Sequence, residues 1–177
     1  MEIDTRTDRS EVEIPIPAEL PVIPSGDSVI YPSMIVPMAV TDEKIIKLVD
    51  EAIAGNKMVG LFARRADSKE PLPQNLYQVG TAAGILRMFR MPDGSIRVFL
   101  QGICRIRMKE VIQTEPYVKV SVEKIEEIEE KTPELEAVAQ AVLSSFQKIV
   151  SLAPNLPNEL SIAAMNLPSA GSLADFV

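Results

Sequence analysis

Apolar positions along the chain change their spacing at about residue 130. Before it they fall mostly in short runs and two-residue alternations. After it they recur every three or four residues. The longest mostly apolar run is Leu20 to Val40, LPVIPSGDSVIYPSMIVPMAV, whose one formal charge is Asp27. Its length suits a membrane span, but its composition does not. Prolines stand at 21, 24, 32 and 37, and Ser25-Gly26-Asp27 makes a turn. Each interior proline removes a donor and costs a helix about 3 kcal/mol. Two strands with a turn between them fit instead, near Leu20–Ile23 and Met34–Val40.

Next comes the first helical spacing. Thr41 is a good N-cap, Asp42 and Glu43 lie in the first turn, and Ile45, Leu48, Val49, Ala52 and Ile53 follow. Gly55-Asn56 predicts a left-handed cap. Lys57 to Ala63 (KMVGLFA) predicts a buried strand, and the polar, proline-bearing Arg64 to Asn75 a loop. Tyr77–Met91 and Ser95–Gln101 flank Pro92-Asp93-Gly94, a hairpin signature because Asp-Gly supplies positive φ. Ile103–Ile112 and Tyr117–Ile125 alternate as two further half-buried strands, with Pro116 at a strand start.

Thr132-Pro133-Glu134 then opens a helix with a cap, a proline at the first helical position and an acid. Leu135, Val138, Ala139, Val142, Leu143, Phe146, Ile149 and Val150 carry it to about Leu152. Pro154 and Pro157 break it, a short helix is expected over Asn158–Asn166, and Ser172 onward opens another that has no stop signal. The chain is therefore expected to be the front piece of a longer protein. The expected organisation is a flexible, charged leader over residues 1–17, a β-rich lobe over 18–125 and the start of a helical lobe over 126–177.

Composition narrows the chemistry. With 177 residues the chain is long enough for an ordinary core. Lys plus Arg total 18 against 25 Asp plus Glu, a net charge of −7, which weighs against nucleic acid as a partner. The charged leader does not have the shape of a signal peptide, and Cys104 is the single cysteine, so no disulfide framework is possible and the cytoplasm is the expected compartment. The sequence has no histidine, the commonest general base and transition-metal ligand. No glycine precedes a lysine, so there is no Walker A loop, and no serine sits in a glycine-framed elbow. No catalytic, cofactor-binding or metal-binding residue is expected. The run Glu123 to Lys131 (EKIEEIEEK) is a solvated strand end and linker, and Cys104 a packed small side chain. Arg87, Arg90, Arg97, Arg105 and Arg107 could gather with Phe89 and Phe99 into a nucleic-acid-binding sheet; a solvated face with cross-strand ion pairs is the favoured reading.

An ordered set of short motifs resembles a known family. Leu20-Pro21-x-x-Pro24 is followed by Val29-Ile30-Tyr31-Pro32-x-Met34-x-Val36-Pro37, then Leu76-Tyr77-Gln78-Val79-Gly80-Thr81-Ala82-Ala83, Pro92-Asp93-Gly94-Ser95, Gln101-Gly102-x-x-Arg105 and Glu115-Pro116-Tyr117. Together they are similar to the N-terminal domain of the ATP-dependent Lon protease. The resemblance implies an α+β fold: a PUA-like, partly closed β lobe of about six strands with one packed helix, followed by a helical lobe. It implies a non-catalytic domain that holds unfolded or damaged proteins and helps subunits of the same protein assemble into a ring. The ATPase module, with its ATP and Mg²⁺, and the Ser-Lys peptidase module would lie outside this chain.

Unfolded chains share exposed apolar side chains rather than a sequence, so a receptor for them needs an adaptable apolar surface. The expected surface draws on Pro21, Ile23, Met34, Ile35 and Pro37, with Met88, Phe89 and Met91 of the hairpin, and faces the helical lobe. The alternative is that these side chains are core. Two other uses of the domain stand beside this one: nucleic-acid binding through the arginine-bearing sheet, and subunit assembly alone.

Overall fold

The computed structural model describes residues 14–66, 68, 70–128 and 132–177. Residues 1–13 of the leader expected over 1–17, and the Glu129–Lys131 end of the charged linker, lie outside the described residues. Ile16 already packs against the core.

Among the described residues six strands and four helices follow one another: β1 (Glu19–Pro24), β2 (Ile35–Val40), α1 (Glu43–Ala54), β3 (Met58–Phe62), β4 (Val79–Arg90), β5 (Ile96–Gln113), β6 (Lys119–Lys124), α2 (Pro133–Leu152), α3 (Glu159–Met165) and α4 (Ala170–Phe176). The strand order is β2-β5-β4-β3-β1-β6, and β5 also pairs with β6. Five strands therefore close on themselves, and β2 stands outside the ring on one edge of β5. β1 and β3 are parallel and every other pair is antiparallel. This is the α+β, partly closed six-stranded lobe with one packed helix that the resemblance implied.

Ring closure depends on β5. Its eighteen residues pair with β2 and β4 near the hairpin and with β6 farther on, and the partner strand slips register between Ala82 and Ala83 and between Ile85 and Arg87. Such bulges add bend and twist, which lets one long strand serve two parts of the sheet. The break expected near Gly102 is absent, because Gly102 is an interior position of this strand.

Two apolar clusters hold the lobe. In one, Leu48, Val49 and Ala52 of α1 pack on Ile23, Val59, Leu61, Ala83, Ile85, Ile96, Val98 and Leu100. The other contains Leu20, Val22, Met58, Phe62, Leu76, Ala82, Ile106, Met108, Val118 and Val120. β3 supplies both clusters and is buried at all five positions, which explains its unbroken apolar run.

Helix boundaries follow cap chemistry. Asp42, not Thr41, caps α1, accepting the Lys44 N–H at 2.8 Å. The left-handed residue after α1 is Lys57 (φ 58°) rather than Gly55 (φ −100°). Asn56 explains the shift: its side-chain oxygen takes the Met58 N–H at 3.0 Å, so the chain turns into β3 one step later. Thr132 caps α2 as expected, accepting from the Leu135 N–H, with Pro133 in the first turn. No helix among the described residues is long and apolar enough to cross a membrane.

Candidate functional site

Alternation fixes the outer face of the three strands nearest the open edge. Val36, Met38 and Val40 of β2, with Ile96, Val98 and Leu100 of β5, turn toward the α1 cluster. Their neighbours turn outward. The cross-strand register then sets three rows: Ile35 beside Gln101, Pro37 beside Phe99 and Arg87, and Ala39 beside Arg97 and Phe89. Phe99 is central and half-buried, and its ring meets Phe89 edge-on at 6.1 Å and 82°. Ile35 is 59% exposed and Phe89 49%. Leu86, at the bulge, is also exposed. None of these outward positions bears a carboxylate.

The sequence-predicted residues divide. Ile35, Pro37 and Phe89 share this face. Met34 is exposed just before β2, where its sulfur accepts the Tyr31 N–H at 3.3 Å. Met88 is half-buried against the α1 cluster on the opposite face, and Met91 is half-buried in the hairpin turn. Pro21 is half-buried on β1 beside Lys119 of β6, away from the face. Ile23 needs correcting: it is 1% exposed, a core residue, because β1 sends Leu20 and Val22 into one cluster and Ile23 into the other. Phe99 and Leu86 belong to the face and were missed. Phe99 joins it only through its pairing with Pro37, and Leu86 only through a bulge; neither is visible from spacing.

The junction with the helical lobe lies farther along β5. Arg105 joins the lobes: it pairs with Glu127 at 3.2 Å and with Asp175 of α4, and its guanidinium lies 5.8 Å from the centre of the Tyr31 ring. Six residues of strand separate Arg105 from Phe99, about 20 Å along β5. Two concavities flank Arg105. One, of about 670 Å³, is lined by Tyr31, Tyr77, Arg65 and Gly80 among others; the second, of about 1100 Å³, lies between the linker and α2 and α4. Neither includes the outer face of β2, β5 and β4.

The arginines do not form one patch. Arg90 pairs with Asp50 at 2.6 Å, Arg105 with two acids, and Arg107 lies near Glu123, which Lys109 holds. Arg87 and Arg97 make no ion pair among the described residues, although Arg97 is close enough to help lower the Asp93 pKa after the Ser95 hydrogen bonds. Burial pushes the Cys104 thiol up, which keeps it protonated and a poor nucleophile. Among the described residues no cluster of three histidine, cysteine or acidic side chains could hold a metal.

Residues 19–177 match the family model described as the ATP-dependent protease La (LON) substrate-binding domain. The chain belongs to the Lon substrate-binding domain family. It is 45% identical to the Lon protease of Dictyoglomus thermophilum over 162 residues, 92% of this chain and 20% of that protein. It is 38% identical to that of Roseiflexus castenholzii, with the same coverage. The chain thus spans about a fifth of the length of these relatives. The N-terminal domain of the Mycobacterium avium complex Lon protease superposes with a TM-score of 0.63, covering 89% of this chain and 95% of that one; at 18% identity the likeness is one of fold.

The motifs that carry the resemblance shape the lobe. The Thr81 hydroxyl donates to the Ile30 carbonyl, fixing the segment between β1 and β2 against β4. The same segment crosses Gly102 so closely that a Cβ there would lie 2.3 Å from the Tyr31 carbonyl oxygen. Ser33 N–H donates to Gly102 and Gly102 N–H to Met34, each at 2.9 Å, which delivers β2 to β5 in register. These motifs therefore hold Ile35 and Pro37 on the outer face.

Proposed function

We propose that this domain captures unfolded or damaged polypeptides for a Lon-type ATP-dependent protease, holding them weakly on the outer face of β2, β5 and β4. The contiguous exposure of Ile35, Pro37 and Phe89 around half-buried Phe99 carries this reading. ATP with Mg²⁺ drives unfolding, and peptide bonds are cut, in parts of the parent protein outside this chain.

Side-chain contact suits this face better than strand addition. The Gly102–Met34 bond sets the phase of the β2–β5 ladder, so the backbone of Ile35, Pro37 and Ala39 turns to the open edge. Pro37 has no N–H, so the middle donor of that edge is missing and pairing with an added strand is blunted. Burying roughly 400 Å² of apolar surface gains about 10 kcal/mol, and association and ordering cost about 4–15 kcal/mol. One domain should hold its substrate with micromolar to millimolar affinity, and a ring of domains would add avidity. Loose capture suits a domain that must pass the chain on.

The test is an NMR titration of the isotope-labelled chain with one protein in native and heat-unfolded forms. Only the unfolded form should shift the resonances of Ile35, Phe89 and Phe99. Ile35→Glu and Phe89→Glu should weaken that response at least about tenfold while leaving other resonances in place. Equal shifts with both forms, or none with either, would refute selective capture.

Subunit assembly is the second role, and the helical lobe favours it. Val150 alone of α2 is buried, while Leu135, Val138, Ile149 and Leu152 are exposed. Sedimentation equilibrium tests it: Val138→Glu with Leu152→Glu should reduce any self-association without changing substrate binding.

A further inference from the structure

We infer that the outer face selects among unfolded segments by charge, favouring apolar stretches flanked by aspartate or glutamate over those flanked by lysine or arginine. The inference rests on the capture reading and adds a substrate class to it. The chain carries a net charge of −7, yet the three outward rows of β2, β5 and β4 that run from Ile35 to Ala39 include two arginines and no acid. Arg87 and Arg97 sit diagonally: Arg87 is opposite Phe99, and Arg97 is opposite Phe89 and next to Ala39. Each charge thus borders a phenylalanine ring, half-buried at Phe99 and exposed at Phe89. Arg90, whose cross-strand partner Ile96 directly precedes Arg97, is already engaged by Asp50, whereas Arg87 and Arg97 have no ion pair among the described residues.

An extended chain crossing the face would lay apolar side chains on Ile35, Pro37 and the phenylalanines. Its residues on either side of that contact would then meet Arg87 and Arg97. Carboxylates there gain charge-assisted hydrogen bonds to guanidinium, and ammonium groups meet like charge. The same residues suit nucleic acid less well. The two rings are perpendicular, so they offer no pair of parallel faces for successive bases, and the aliphatic and proline positions add nothing to phosphate binding.

The experiment uses the full 177-residue chain and three fluorescent peptides that share one apolar core and differ only in flanks of Glu, Gln or Lys. Kd should rise in that order, with a Lys-to-Glu ratio of about three to ten at low salt that falls toward one above about 0.5 M. R87E/R97E should reverse the order, and R87Q/R97Q should bring the three Kd values together. Equal affinities at low salt, with Gln-flanked binding intact, would overturn the charge preference and leave apolar capture standing. Loss of all three interactions would overturn the capture reading and this inference together. A single-stranded oligonucleotide that displaces the Glu-flanked peptide, and that R87Q/R97Q releases, would assign the arginines to nucleic acid instead.

Discussion

Tyr117 shows how one contact ties the helix to the sheet. Its hydroxyl donates to Glu51 of α1, and that hydrogen bond is the main reason its pKa is pushed up from 10.0 to about 12. A folded value above the unfolded one means that folding favours the protonated phenol. The contribution is therefore complete below about pH 10 and is lost as pH rises through about 12. Tyr117→Phe should cost about 1 kcal/mol near neutral pH, and urea titrations should show the gap between variant and parent closing across that alkaline window. Gly102 depends on space instead. A methyl there meets the Tyr31 carbonyl, so Gly102→Ala should cost about 1–3 kcal/mol in urea melts and shift the resonances of β2. Apolar character was legible at this scale, but exposure was not. Ile23 and Ile35 are alike in the sequence, Pro24 following the first directly and Pro37 the second at two residues, and only the packing of α1 on one side of the sheet separates core from surface.

Elements with local signals were easiest to read. Thr132-Pro133 marked α2, Asp93-Gly94 marked the hairpin, and the spacing of Leu48, Val49 and Ala52 marked α1. The continuity of β5 was not legible, because Gly102 reads as a breaker while its real constraint is a chain segment crossing above it. Nor could spacing show that β5 carries both the apolar face and, farther along, the Arg105 junction with α4. That junction is testable by itself. The Arg105 and Asp175 side chains are 31% and 13% exposed, so solvent screens the pair only in part. Arg105→Gln should weaken docking of the lobes by up to about 1 kcal/mol. Spin labels on α1 and α2 should report a broader distance distribution in the variant, with the unfolding midpoint of the β lobe little changed; an unaltered distribution would show that Arg105 does not hold the lobes together.

Across the whole molecule, apolar burial is uneven. The ring of strands contains two dense clusters and shares one of them with α1, whereas α2, α3 and α4 each bury a single residue, Val150, Ala164 and Leu173. Helices as short as α3 and α4 are marginal without packing, and propensity alone does little for α2. The two lobes should therefore open independently. In hydrogen exchange, amides of β3 and β4 should exchange only through global unfolding, and those of α2 through local opening at least about a hundredfold faster. The β lobe should meanwhile keep its peptide affinity, since Ile35, Pro37, Phe89 and Phe99 all rest on the stable ring. Matched protection in α2 and β3 would mean that the helices draw on packing beyond those three residues. Fast exchange in β2 as well as α2 would place the capture face on a mobile strand; recognition would then require ordering of β2 on binding, and Ile35→Glu would act through the strand's stability rather than through direct contact.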